Sequence, residues 1–331
     1  MFEPFAKLNQ NMFKVDAEGR RATRDGYGEG LLALGETNKS VVVLTADLSE
    51  STRTEAFAKK YPERFFECGV AEQNMATIAA GLGISGKTPF ISSYATFSPG
   101  RNLEQIRTTI AYNDANVKIA GHHAGVSVGP DGATHQATED IAWMRTMPNM
   151  KVIVPCDAVE AKKATLAAAK IKGPVYLRFA REKSPVMTTG KTPFTPGKAE
   201  LFWDSKKPEV GIVACGLLVA TALRAAQELK ADGIEVAVIN VHTVKPLDGP
   251  ALRALANRTG ALVVAEEHQV AGGLGGAVAE FFAKEGPVPI EFVGLHDTFG
   301  QSGPSEELLE FYGMGVGDIK SAVKRAKRRK S

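Results

Sequence analysis

KVIVPCDAVEAKKATLAAAKIKGPVYLRFA, residues 151–180, carries the reading that decides the fold class. An apolar run, KVIVPCD (151–157), is followed by a helix candidate, DAVEAKKATLAAAKI (157–171), and then by a second apolar run, PVYLRFA (174–180). The apolar runs are close to continuous, the pattern of strands buried on both faces. Upstream the same order recurs, with strand candidates VVVLTAD (41–47), PFISSYATF (89–97) and VKIAGHH (117–123) and helical stretches between them. Strand and helix in alternation imply a parallel sheet covered on both sides. In such sheets ligands sit beyond the carboxyl ends of the strands. Asp47, Phe97, His123, Cys156 and Arg181 all fall at or just past those ends, which points to one shared site.

The alternation breaks over VMTTGKTPFTPGKAELFWDSKKP (186–208), which holds three prolines and one short strand candidate, KAELFW. From residue 209 it resumes, with strands VGIVACG (210–216), EVAVINV (235–241), ALVVAEE (261–267) and PIEFVGL (289–295). Helices are expected at about 217–231, 249–258, 273–285 and 305–313. HQVAGGLGGAV (268–278) is rich in glycine but lacks GxGxxG and a P-loop lysine, so it reads as a tight helix start. The fold class is therefore α/β with two parallel-sheet domains. The expected division is residues 20–188, a linker over 189–208, and residues 209–331.

The chain has 331 residues, of which 44% are hydrophobic and 23% charged, ordinary for a globular protein of two domains. No apolar run reaches the length of a membrane span, and the start lacks the basic end and apolar core of a signal peptide. Cys68, Cys156 and Cys215 lie far apart, match no metal spacing, and read as buried small side chains in a reducing compartment. A cytoplasmic location is expected. The net charge of +3 is dominated by Lys320, Lys324, Arg325, Lys327, Arg328, Arg329 and Lys330. Without these seven, 33 of the 40 Lys and Arg remain against 37 acidic side chains, a balance of −4. The basic run reads as a frayed, solvated helix end, not as a nucleic-acid contact.

Two segments carry chemistry. GPDGATHQ (129–136) is a turn forced by two glycines and a proline, which holds Asp131 and His135 four residues apart. The following run has helical apolar spacing at Ile141, Ala142 and Met144, so His135 is expected at or just before a helix start, where free N–H groups suit an anionic ligand. An exposed surface turn is the alternative. In ECGVAEQNMATIAAGLG (67–83) a strand candidate at Phe65 and Phe66 precedes an Ala-rich helix with Met75, Ile78, Ala79 and Leu82 on one buried face. Glu72 stands at its start. It is either an acid favoured by the helix dipole or a poorly solvated carboxyl able to carry a proton for chemistry.

GVAEQNM with its Ala-rich helix, then TF, then DGATHQ, then PCD, in this order, resembles the pyrimidine-binding half of transketolase. Related halves occur in deoxyxylulose-phosphate synthase and in the beta subunits of 2-oxo acid dehydrogenases. The DG-x-TH motif favours transketolase. The resemblance runs from about Arg20 to the carboxyl end, and its second unit is similar to the transketolase carboxyl-terminal domain, whose role is structural. The GDG triplet of the diphosphate-binding domain is absent, and only a short leader, MFEPFAKLNQNMFKVDAEGR, precedes the similarity. The resemblance thus implies the carboxyl-terminal subunit of a split transketolase. Its partner is an amino-terminal subunit holding Mg2+ and the cofactor diphosphate, and the chain itself homodimerises within a heterotetramer and holds no metal.

The resemblance implies thiamine diphosphate as cofactor and transfer of a two-carbon ketol unit from a ketose phosphate to an aldose phosphate. Glu72 is implied to share a proton with the aminopyrimidine, Phe97 to stack on that ring, and Asp47 either to approach the thiazolium or to pair with Arg24. The family places further aromatics downstream of Phe97, where SPGRNLEQIR has none before Tyr112. His135 is implied to act at the reacting oxygens, His123 near the far end of the substrate, and Asp131 on its alpha-hydroxyl. Arg24, Ser51 and Arg181 fall where transketolases contact a sugar phosphate. Two other readings remain: a related thiamine enzyme subunit (a 2-oxo acid dehydrogenase beta subunit or a specialised sugar-phosphate ketol transferase), and a non-catalytic regulatory subunit. Retention of Glu72, Asp131 and His135 weighs against the last.

Overall fold

The structure, a computed structural model, describes residues 7–14 and 19–330, so part of the expected leader lies outside the described residues. Strands of the first half are β1 (Arg20–Ala22), β2 (Val41–Thr45), β3 (Phe65–Glu67), β4 (Thr88–Tyr94), β5 (Lys118–His122), β6 (Lys151–Ile153), β7 (Val175–Arg178) and β8 (Lys183–Pro185). Those of the second are β9 (Glu200–Trp203), β10 (Val210–Ala214), β11 (Val236–Asn240), β12 (Thr243–Lys245), β13 (Leu262–Gln269) and β14 (Ile290–Leu295). The first sheet has the order β12-β6-β7-β5-β4-β2-β3 and the second β14-β13-β10-β11-β9, with β1 and β8 forming a separate antiparallel ribbon.

Within each large sheet every pairing is parallel except that of one edge strand. The continuous apolar runs are explained by burial on both faces. Val41, Val43, Phe90, Ala120 and Leu177 pack on one side of the first sheet, while Val42, Leu44, Ile91, Ile119 and Tyr176 pack on the other. The two antiparallel edges were not anticipated in their pairing. β9 runs from the expected linker onto β11, and β12 leaves the second half of the chain to cover β6 of the first sheet. Each covers a sheet edge that would otherwise expose unpaired backbone groups. Helices Thr23–Thr37 and Ala158–Ala168 pack closely because Gly26 faces the Ala158 carbonyl, where any Cβ would collide.

Three expectations are corrected. The helix Glu72–Ile84 buries Met75, Ala76, Ala79 and Ala80, whereas Ile78 and Ile84 are exposed. The small Ala side chains admit the core on that arc and turn the larger isoleucines outward. Cys68 is only half-buried, unlike Cys156 and Cys215. The basic tail is not frayed. It forms the helix Val316–Arg328, which buries Ile319, Ala322, Val323 and Ala326. Its charges meet acids on neighbouring elements, with Lys320 on Glu228, Arg325 and Arg329 on Glu291, and Lys327 on Glu209.

A buried polar node joins the two domains. Asp157 caps the helix Ala158–Ala168 through the Glu160 N–H (2.9 Å) and accepts from the Met187 N–H, the Thr188 N–H and the Thr188 hydroxyl. The Glu160 carboxylate accepts from the Cys156 N–H (2.7 Å) and from Asn240 Nδ2 of the second domain (2.8 Å). Burial, with the nearby Asp157 carboxylate, pushes Glu160 up to about 7. Because this value exceeds that of an unfolded glutamate, the contribution to stability is complete below the unfolded pKa and is lost as pH rises through the folded one. Stability should therefore fall by on the order of 3 kcal/mol between about pH 4.5 and pH 7.5 from this group alone. Glu160→Gln should flatten that slope because an amide does not titrate, and Asn240 Oδ1, without a hydrogen-bond partner among the described residues, can receive the new amide once the Asn side chain turns over. Chemical denaturation of both proteins across this range checks it, and an unchanged slope in the variant assigns the dependence elsewhere.

Candidate active site

The site is built at the carboxyl ends of β2, β4 and β5. Glu72 is the first residue of its helix and its side chain is 1% exposed. Its Oε2 accepts from Arg101 Nη1 at 2.7 Å, and buried Asn102 donates to its backbone carbonyl at 3.0 Å. The carboxylate thus faces a guanidinium that sequence reasoning did not single out.

β4 ends at Tyr94, so Phe97 does not close the strand as expected but sits in an irregular turn over Thr96–Arg101, whose helical path is broken at Ser98. That turn lifts the ring out of the core and leaves it half-buried. Phe97 stacks beside Tyr94 (5.8 Å between centroids) and meets His135 edge-on (5.4 Å). Tyr94 in turn stacks on His123 at 3.9 Å. The ring beside Phe97 is therefore Tyr94, upstream of it in the chain.

His123 follows β5 in the left-handed region (φ 54°) and is buried. Burial first, then the charges of Arg24 and Arg181, lower its pKa to about 3, so at neutral pH it is an uncharged donor and acceptor. Its Nδ1 finds no hydrogen-bond partner among the described residues, which marks a buried polar atom suited to a ligand.

His135 is half-buried, with Nδ1 2.9 Å from the Thr134 hydroxyl. It is not at a helix start. Gly129 and Gly132 hold positive φ, the Gln136 amide donates to the carbonyls of Val126 and Gln301, and the helix begins only at Asp140. Asp131 lies exposed on the same loop. The loop is fastened from the second domain. The Glu267 carboxylate accepts from the Ser127 N–H (2.6 Å) and the Ser305 hydroxyl donates to the Ser127 carbonyl (2.7 Å). Arg181 Nη1 donates to the Val128 carbonyl at 2.7 Å.

Arg24 donates to the Ser51 carbonyl at 2.9 Å, which brings those two together. Arg53, missed in the sequence, lies beside them on Asp25 (2.8 Å), and burial followed by the charge of Arg53 lowers the pKa of Arg24. Arg24, Arg53 and Arg181 all bear on His123, so the three form one positive field. Asp47 does not pair with Arg24. It is exposed, in the left-handed region (φ 59°), and its N–H is held by Glu67 at 2.8 Å. Cys156 does not join the site, being buried at the Glu160–Asn240 node. The glycine-rich 268–278 segment is a helix start as expected, and its free N–H groups at Leu274 and Gly275 are taken by Glu266. Among the described residues no cluster of three or more His, Cys, Asp or Glu side chains is arranged to hold a metal ion. No helix among them is long and apolar enough to cross a membrane.

A buried carboxylate beside a half-exposed ring suits a planar nitrogen heterocycle. Imidazoles next to three arginines suit an oxygen-rich anionic substrate. Comparison with known proteins identifies the family. Residues 20–186 match "Transketolase, pyrimidine binding domain" and residues 197–319 match "Transketolase, C-terminal domain". A putative transketolase C-terminal section of Methanocaldococcus jannaschii is 44% identical over 92% of this chain and 95% of that protein. A 6-deoxy-6-sulfo-D-fructose transketolase subunit of Clostridium sp. is 38% identical over 93% of this chain and 95% of its own length. A solved structure described as a split-gene transketolase, inactive beta4 tetramer, superposes with a TM-score of 0.87 at 47% identity, covering 94% of this chain and 99% of that one. The chain belongs to the transketolase family and carries that family's pyrimidine-binding and carboxyl-terminal domains.

Proposed function

We propose that this chain is the pyrimidine-binding subunit of a cytoplasmic, thiamine diphosphate-dependent ketol transferase, completed by a separate subunit that supplies the diphosphate and Mg2+ ligands. The observation that carries the reading is the meeting of Glu72, Phe97, His123, His135 and three arginines at one end of one parallel sheet. The residues fit the cofactor's pyrimidine on two counts: a buried carboxylate aimed at a nitrogen-bearing plane, and an aromatic ring beside it. When bound, thiamine diphosphate supplies a carbon nucleophile and then an electron sink.

The chain's own residues do the rest. Glu72 shares a proton with the pyrimidine ring nitrogen, and Phe97 offers its ring as a platform. His135 moves protons at the reacting carbonyl and hydroxyl oxygens. His123, neutral, hydrogen-bonds the substrate towards its far end. Asp131 accepts from the alpha-hydroxyl, and Arg24, Ser51 and Arg181 bind a remote phosphate, with Arg53 adding charge. The reaction so served is transfer of a two-carbon ketol unit between sugar phosphates. The sulfosugar relative favours a second reading, a specialised donor, because a sulfonate presents three oxygens sharing one negative charge to the same arginines.

Assembly follows from the same reading, with this chain paired to a second copy inside a heterotetramer. Val70, Ile78 and Ile84 leave apolar surface at and before the Glu72 helix, of the kind a partner covers. The solved relative made of beta subunits alone is described as inactive, in keeping with a missing partner. The isolated chain should then give little heat on titration with thiamine diphosphate and Mg2+, and strong binding should appear when the diphosphate-binding subunit is added. Tight binding by the isolated chain contradicts the split arrangement. Co-purification with that subunit, followed by a ketol-transfer assay with phosphorylated and sulfonated donors, tests the activity and chooses between the donors.

A further inference from the structure

Arg101 stands in an unusual place. Its guanidinium carbon lies 4.6 Å from the centroid of Phe97, over the ring, and its Nη1 is 2.7 Å from the Glu72 carboxylate. It is the last residue of the irregular turn that carries Phe97, and its side chain is 46% exposed while that of Glu72 is 1% exposed. A planar, nitrogen-bearing group stacked on an aromatic ring, with one nitrogen on a buried carboxylate, is what an aminopyrimidine presents to such a pair of side chains. A guanidinium has the same features: flat, able to lie on a ring face, and forked towards a carboxylate.

We infer that Arg101 occupies the pyrimidine seat in the free chain and must leave Phe97 and Glu72 when the ring arrives, so that it sets how tightly the cofactor's pyrimidine is held. The inference rests on the cofactor reading above. Its physical basis is mutual exclusion: one ring face and one carboxylate oxygen cannot serve both groups. In the free chain the arrangement spares Glu72 from being buried without a partner. Among the described residues the stand-in is held by one half-exposed ion pair and one cation–π contact, so displacing it is cheap but not free.

The test is thiamine diphosphate affinity in the presence of Mg2+, measured by calorimetry on the complex assembled with the diphosphate-binding subunit. Arg101→Ala removes the competitor and leaves Glu72 and Phe97 open, so the dissociation constant should fall by roughly three- to thirtyfold. The isolated Arg101→Ala chain should melt lower than wild type, because its Glu72 is unpaired. Arg101→Gln keeps a flat side chain without the charge, and should shift affinity in the same direction should the alanine variant fold poorly. An unchanged or raised dissociation constant in a variant overturns the proposal, the latter by making Arg101 a cofactor ligand. Binding by the wild type with no gain on substitution removes this inference alone. Absence of binding by wild type and variants alike removes the cofactor reading together with it.

Discussion

Glu72→Gln is expected to slow proton–deuterium exchange at the thiazolium carbon of bound thiamine diphosphate by about two orders of magnitude or more, the usual range for a positioned acid–base group. The amide keeps the shape of the carboxyl and still reaches a ring nitrogen, but it has no proton to share. Glu72 is suited to be sensitive to this change. It is buried at the first position of its helix, and its backbone carbonyl is held by Asn102. Exchange followed by NMR in the assembled complex, at saturating cofactor, separates chemistry from binding. An unaltered rate would leave Glu72 as an acid that serves only the start of its helix.

The second large effect separates the anion clamp from the hydroxyl contact. Arg181→Ala should lower kcat/KM for phosphorylated donors by roughly 10- to 150-fold, the worth of a charge-assisted contact of about 1.5–3 kcal/mol. It should affect hydroxypyruvate far less, because a remote phosphate contact helps only substrates that carry the phosphate. Asp131→Ala should instead reduce the preference between hydroxyl configurations next to the carbonyl, with or without a phosphate. The structure sharpens the first test. Arg181 also ties the Val128 carbonyl, and so the loop bearing Asp131. Equal loss on hydroxypyruvate and sugar phosphate would assign Arg181 to holding that loop and not to the clamp.

The division between what was readable early and what was not follows the range of the forces involved. Strand runs such as 41–47 and 174–180 and the helix beginning at Glu72 depend on side-chain periodicity within a few residues, and they appear where expected to within a few positions. The misplacements have local causes that periodicity does not report. Phe97 left the strand because the chain turns irregularly over Thr96–Arg101, and the helix expected near His135 waits until Asp140 because two glycines take positive φ and Gln136 is bonded to the second domain. The basic tail was misjudged because the acids that neutralise it, Glu209, Glu228 and Glu291, are distant in sequence.

The amino-acid sequence by itself determined two α/β units, the candidates Glu72, Asp131 and His135, and the family resemblance that joins them, since each is written in short, contiguous stretches. Only the tertiary structure decided which side chains meet. Tyr94 faces His123 because β4 and β5 are parallel neighbours whose ends align, and Arg53 reaches Arg24 because the segment after β2 folds back on the Thr23–Thr37 helix. Arg101 covers Phe97 and Glu72 because one turn brings a long, flat cation over a ring and a buried carboxylate 29 residues away. Glu267 holds the loop that bears Asp131 because β13 of the second sheet ends beside it. These contacts join residues far apart in the chain, and strand order and packing, not local propensity, set their distances.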